Sequence, residues 1–179
     1  MGTGILLCGL NGSGKSTLGA VLADRLGFHF MDSEALFFAA SDTTYAAPRS
    51  RTEAVQRLMD EIHTHGDFVL AAVTGDYGPE VSALYRCVVR LDVPREIRLQ
   101  RIRARSIQKF GDRAQPGGDL YEREKSFWDM AASRTECTLD DWTQRLHCPV
   151  LRVDGTMPID QNVAYLVTRL QKMPGILGR

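Results

Sequence analysis

The chain has 179 residues, 44% of them hydrophobic, and its 22 Lys and Arg are balanced by 22 Asp and Glu. That length suits one domain able to bury a real core, and zero net charge without a like-charged tail argues against non-specific attraction to nucleic acid or an anionic membrane. With no basic leader and no apolar stretch of spanning length, the expectation is a cytoplasmic protein whose partner is a small molecule, as monomer or homodimer.

The first element is the apolar run Ile5 to Cys8. Directly behind it, Gly9-Leu10-Asn11-Gly12-Ser13-Gly14-Lys15-Ser16-Thr17 fits G-x-x-x-x-G-K-[ST] in the strand-then-helix setting that a phosphate cradle needs. Glycines at 9, 12 and 14 let the backbone turn tightly and aim successive N–H groups, those of Asn11 and Ser13 included, at phosphate oxygens; the helix that follows adds its positive end. Lys15 is placed to reach the β- and γ-phosphates of ATP, Ser16 to ligate the bridging Mg²⁺, and Thr17 to lie near the α-phosphate.

An apolar stripe of Leu18, Val21, Leu22 and Leu26 then predicts a helix, and Phe28 to Met31 a second strand ending at Asp32-Ser33-Glu34. Ala39 to Arg51 reads as a mobile excursion. Ser50 and Glu53 have capping-box spacing before a helix with Val55, Leu58, Met59 and Ile62 on one face, which Gly66 can end in the left-handed conformation. Phe68 to Val73 and Cys87 to Val93 predict the third and fourth strands. Between positions 86 and 113 nine Arg and Lys meet three acids. With Leu99, Ile102 and Phe110 inward, Arg98, Arg101 and Arg105 would share the outer face of that helix. Gly111 to Leu120 is a second mobile excursion, followed by a helix with Asp119 and Glu122 at capping-box spacing, a fifth strand at Val150 to Val153, and a last helix carrying Val163, Leu166, Val167 and Leu170 before Pro174.

Strands apolar on both faces, separated by helices, mean an α/β fold with a parallel sheet covered on both sides. Cys8, Cys87, Cys137 and Cys148 show no zinc-type spacing and are read as buried thiols; His63 and His65 point different ways, His29 and His147 stand alone, and no metal cluster is expected. Trp128, Trp142, Phe127 and Met130 are read as packing residues.

The phosphate loop on strand one, the acidic end of strand two and the arginine-rich helix after strand four resemble the P-loop kinases of the adenylate kinase, shikimate kinase and gluconate kinase group, over nearly the whole chain. The resemblance implies a three-layer fold with a five-stranded parallel sheet of order 2-3-1-4-5. It also implies one domain over 1–179, with an acceptor-binding segment at about 33–65 and a lid at about 106–135. Asp32-Ser33-Glu34 is similar to the acidic pair of shikimate kinases, where one carboxylate sits near the metal's water shell and another holds the acceptor hydroxyl; Asp32 could equally cap the next helix. Arg101-Ile-Arg-Ala-Arg105 resembles the R-x-x-x-R of adenylate kinases, which implies Arg101 against adenine and Arg105 near phosphate. Arg113 in the lid is the candidate arginine finger, and Val153 to Pro158 resembles the adenine-side loop.

The reading that follows is an Mg²⁺- and ATP-dependent kinase of a hydroxyl-bearing small molecule. Thr74-Gly75-Asp76 at the end of strand three departs from both the shikimate and adenylate kinase patterns, which leaves the acceptor open. The alternatives are a nucleoside monophosphate kinase, with Arg49 and Arg51 on the acceptor phosphate, and an ATP-binding regulatory switch with slow hydrolysis.

Overall fold

The computed structural model describes residues 2–39 and 47–176. Five strands, β1 (Gly4–Cys8), β2 (His29–Asp32), β3 (Phe68–Ala72), β4 (Tyr85–Asp92) and β5 (Val150–Asp154), form one sheet of order β2-β3-β1-β4-β5 with every pair parallel. The three-layer order expected from the sequence is thus the observed one. β1 and β3 are buried along their whole length, because helices cover both faces of the sheet. Gly4, Ile5 and Leu6 of β1 face Phe68, Val69 and Leu70 of β3 in register.

One face is covered by α1 (Lys15–Leu26) and α8 (Ile159–Gln171), which bury Leu18, Leu22, Val163, Leu166 and Leu170 against Ile5, Leu7 and Val89. The other face takes α3 (Arg51–His65), whose Ala54, Leu58 and Ile62 pack on Leu6, Phe68 and Leu70. Short helices α2 (Ser33–Phe37), α4 (Pro79–Ser82) and α7 (Cys137–Thr143), too brief for a periodic stripe, were not legible as elements. The remaining helices are α5 (Arg95–Phe110) and α6 (Tyr121–Ser133), joined through a 3-10 turn at Gly111–Ala114.

Several local expectations change. Phe28 stays outside β2 because its N–H closes the end of α1 on the Ala23 carbonyl (2.9 Å). Val21 lies on the outer side of α1, 41% exposed, while Gly19 and Ala23 take the inner side, where Gly19 lets Phe30 approach. The Ser50–Glu53 capping box is present in full. Asp119 and Glu122 form none: α6 starts at Tyr121, and the Asp119 carboxylate is held by the Arg113 guanidinium, with Nη2 to Oδ2 at 2.7 Å. Gly66 ends α3 with positive φ, 81°, but ψ of −110° takes it out of the left-handed helical well. The excursion at 111–120 is tied to itself, Leu120 N donating to Arg113 O (2.9 Å) and Gly118 N to Gln115 O (2.8 Å). Most of the first excursion, 40–46, lies outside the described residues.

Among the thiols, Cys8 and Cys87 are buried in strands and burial pushes both up to about 12, as expected of inert core cysteines. Cys137 departs from that expectation: it is exposed at the start of α7. Among the described residues no helix is long and apolar enough to cross a membrane.

Candidate active site

The carboxyl end of β1 runs into the glycine loop and then α1, at the sheet edge where ligands of open α/β folds gather. The loop needs its glycines. Gly12 has φ of 82° and a Cβ there would strike the Arg98 carbonyl, while Gly14 precedes α1 in the left-handed conformation (φ 93°, ψ 15°). With the first helical N–H groups uncapped by any side chain, the loop presents free donors at the positive end of α1. Ser13 is 1% exposed and its Oγ has no hydrogen-bond partner among the described residues. An orphaned buried hydroxyl costs ~1–3 kcal/mol, which marks the loop as organised for something other than its own stability.

Lys15 Nζ donates to the Leu10 carbonyl at 3.3 Å, so its ammonium is folded over the loop. Desolvation pushes it down to about 8, opposed by Asp32 and reinforced by Arg105 and Arg134. These charges therefore surround one point. Ser16 and Thr17 are exposed in the first turn of α1.

Asp32 is the N-cap of α2, its Oδ1 accepting from Glu34 N at 2.9 Å. The cap engages one oxygen of a carboxylate that still acts electrostatically on Lys15. Glu34, exposed in the first turn of α2, borders a cavity of about 590 Å³ together with Asn11, Arg105, Phe37, Phe127 and Arg134. A second cavity of about 860 Å³ opens beside Arg98, Arg134 and Asp154, on the β4–β5 side. Although larger, it is lined around Arg90, whose guanidinium is already held by Asp92, Glu136 and Asp140. The smaller cavity joins the loop to Glu34 and is the better substrate space.

The arginines of α5 divide differently from the expectation. Arg98, Ile102 and Ser106 form the buried stripe, so Arg98 faces inward, 3% exposed, and does not share an outer face with Arg101 and Arg105. Its Nε donates to Val93 O and its Nη1 to Asn11 O, both at 3.3 Å, which holds the phosphate loop from beneath. Arg101 Nη1 donates to Gly155 O at 3.0 Å and to Ser13 O at 3.5 Å, bridging the loop and the turn after β5. Arg105, one helical turn on, borders the 590 Å³ cavity. Arg113 is exposed and engaged by Asp119, away from the residues that line that cavity. Arg49 donates to the Ala35 and Leu36 carbonyls and Arg51 to the Asp76 carbonyl, so these two arginines hold the α2–α3 rim and the turn after β3.

Two residues, Arg134 and Glu124, were not singled out in the sequence. Arg134, just past α6, donates from Nη1 to Asn11 Oδ1 at 2.7 Å and lies on both cavities. Glu124, 7% exposed, sits in the cavity wall, accepting from Ser106 Oγ (2.6 Å) and Arg123 Nη2 (2.7 Å). Of the four residues read as packing, Trp142 is core and Trp128 donates to Ser106 Oγ, whereas Phe127 and Met130 line the cavity. Only an isolated arginine after a helix announced Arg134, and that is a weak signal. Another expectation fails at the far end of the sheet, where His29, far from standing alone, stacks on His65.

The model of the family described as "AAA domain" matches residues 5–115, from β1 through the phosphate loop and α5. The chain belongs to the AAA domain family. This AAA-domain chain is 27% identical over 167 residues to the uncharacterized protein YqaC of Bacillus subtilis, a match covering 89% of the chain and 92% of that protein. A shorter match, 38% identical over 61 residues, covers 33% of the chain and 27% of a cytidylate kinase from Burkholderia ambifaria. Among solved structures, a gluconokinase from Sinorhizobium meliloti superposes with a TM-score of 0.54 at 16% identity, covering 95% of both chains. The fold is accordingly that of the P-loop kinases of the gluconate and shikimate kinase-like group, and such a loop is built for nucleotide phosphates.

Proposed function

We propose that this AAA-domain protein is an Mg²⁺- and ATP-dependent phosphotransferase acting on a hydroxyl-bearing small molecule seated in the 590 Å³ cavity. The observation that carries the reading is the convergence on Lys15 of the glycine cradle, the Asp32 carboxylate and the cations Arg105 and Arg134, beside a cavity edged by Glu34. In this reading the loop amides and Lys15 hold and orient the β- and γ-phosphates, and Arg101 lies along the nucleotide's base side next to Gly155. The orphaned Ser13 hydroxyl, the positive-φ glycines of the loop and an exposed Ser16 hydroxyl in the first turn of α1 fit a metal–triphosphate ligand. Ser16 and Asp32 would hold Mg²⁺, which when bound neutralises charge on the transferring group.

Asp32 or Glu34 orients the acceptor hydroxyl and takes its proton as the oxygen attacks the γ-phosphorus, while the bond to the β–γ bridging oxygen breaks and ADP leaves with that electron pair. Arg105 and Arg134 offset the charge that develops on the transferring phosphoryl group. Arg113 would act as a finger only after leaving Asp119, so the 106–135 segment is the lid that closes over an acceptor bound against the segment at 33–65. Catalysis then rests on positioning and electrostatics rather than on a covalent intermediate.

A nucleoside monophosphate is the second reading of the acceptor. Phe37, Phe38, Phe110 and Phe127 around the cavity, with Arg105 and Arg123 beside them, offer stacking for a base and charge for a phosphate, and the short similarity to a cytidylate kinase supports it. Phosphoryl transfer assayed against a panel of alcohols, sugar acids and nucleoside monophosphates separates the two. Nucleotide turnover that ignores every acceptor and answers to a protein partner would favour a regulatory switch.

A further inference from the structure

At the end of the sheet opposite the phosphate loop, His29 opens β2, while Glu61 and His65 lie one turn apart near the end of α3. The i,i+4 spacing puts Glu61 and His65 on one helix face. His29 meets that face from the edge strand. Its Nε2 lies 2.9 Å from Glu61 Oε2, and His65 Nε2 lies 3.5 Å from the same oxygen. One ligand atom from each residue falls within 4.8 Å of the other two. Tetrahedral zinc with bonds near ~2.1 Å holds its donors about 3.4 Å apart, and the two nitrogen–oxygen separations bracket that spacing. Two imidazoles and a carboxylate form a donor set that suits Zn²⁺ and is a poor match for Mg²⁺, which prefers oxygen ligands.

We propose that His29, Glu61 and His65 form a zinc site that pins the end of α3 to edge strand β2, with water completing the coordination. The site is independent of phosphoryl transfer, since it uses none of the residues around Lys15. The two imidazoles now stack with centroids 3.8 Å apart and planes 12° from parallel. A metal lies in the plane of each imidazole it binds, so loading parts this stack, and exposed His65, the last residue of α3, has room to turn. Because the site exists only when β2 and α3 are together, zinc stabilises the folded chain by mass action.

The test takes the full chain stripped by chelator, titrates it with zinc chloride in a calorimeter, and records thermal melting with zinc or magnesium. Expected are one Zn²⁺ per chain, a rise in melting temperature with zinc but not with magnesium, and visible absorption typical of a tetrahedral site when Co²⁺ replaces zinc. His29→Ala and His65→Ala should each weaken binding by more than the roughly tenfold that losses outside the ligand shell cost. His63→Ala, two residues from His65 and exposed, should leave binding unchanged. Glu61→Gln, which keeps the side chain's size, should weaken binding even if an alanine variant folds poorly. Absence of zinc binding by the parent chain, equal binding by the His29 and His65 variants, or its loss in Cys137→Ser would overturn the site.

Discussion

Lys15 sets burial against charge within one side chain. Its ammonium is pushed from 10.5 to about 8 by desolvation, so the folded value lies below the unfolded one. The charged form therefore costs stability below about pH 8, and that cost fades as pH rises toward 10.5. We predict that Lys15→Met raises the melting temperature of the ligand-free protein at neutral pH while abolishing transfer; a lowered melting temperature would show that Lys15 supports the fold instead. A bound triphosphate would restore the ammonium's partner, so ATP binding just above pH 8 should take up protons. Calorimetry in two buffers of different ionisation enthalpy reads that uptake, and identical heats would remove Lys15 from the phosphate contact.

Asp32 caps α2 and is proposed to act on the acceptor hydroxyl, two jobs that one substitution can separate. Asn caps a helix about as well as Asp, so Asp32→Asn should keep α2 and the fold while slowing single-turnover transfer by ~10²–10⁴, the usual range for losing a general base. ATP affinity measured without Mg²⁺ should change little. If Asp32→Asn transfers at the parent rate and Glu34→Gln does not, the base is Glu34. At this scale the phosphate loop was legible because its motif ties residue type to position. Arg98 was not, since a guanidinium in a charge-rich helix is normally solvated, and only the tertiary approach of the Val93 and Asn11 carbonyls makes burial tolerable.

Along α5 the three arginines do different work, a division that follows from their angular order rather than from their number. Arg98→Leu should cost ~1–3 kcal/mol in denaturant unfolding, because two loop carbonyls lose their donor. Arg101→Ala should weaken ADP binding, since it sits between the loop and Gly155, while Arg105→Ala should chiefly lower turnover. Matched ADP titrations and steady-state kinetics distinguish these outcomes; indistinguishable Arg101 and Arg105 variants would refute the division. The strands and main helices were readable from period and apolar runs. Contacts between elements were not, as His29 and His65 show: they are 36 positions apart in sequence and meet only because β2 and β3 pair and α3 packs across them. The α5 stripe failed for a related reason, since choosing Ser106 over Leu99 as an inner position requires knowing that Glu124 and Trp128 wait to bond the hydroxyl.

For the whole molecule, sheet order and loop position bring the ends of β1 and β2, the middle of α5 and the end of α6 around one space, although they lie more than a hundred residues apart in sequence. The sequence carried the nucleotide side of that space in a contiguous motif. The proposed acceptor side draws on Glu34 of α2, Arg105 of α5, and Glu124 and Phe127 of α6, on three separate helices, which is why the acceptor's class was harder to read. The central claim, that this space transfers a phosphoryl group to a small molecule, is tested most directly by following γ-labelled ATP with Mg²⁺ across a panel of hydroxyl metabolites and nucleoside monophosphates, for the parent chain and Lys15→Ala. The account predicts label in one acceptor class with the parent and none with the variant. Label released only as free phosphate at a rate independent of every acceptor, or transfer undiminished in Lys15→Ala, would contradict it.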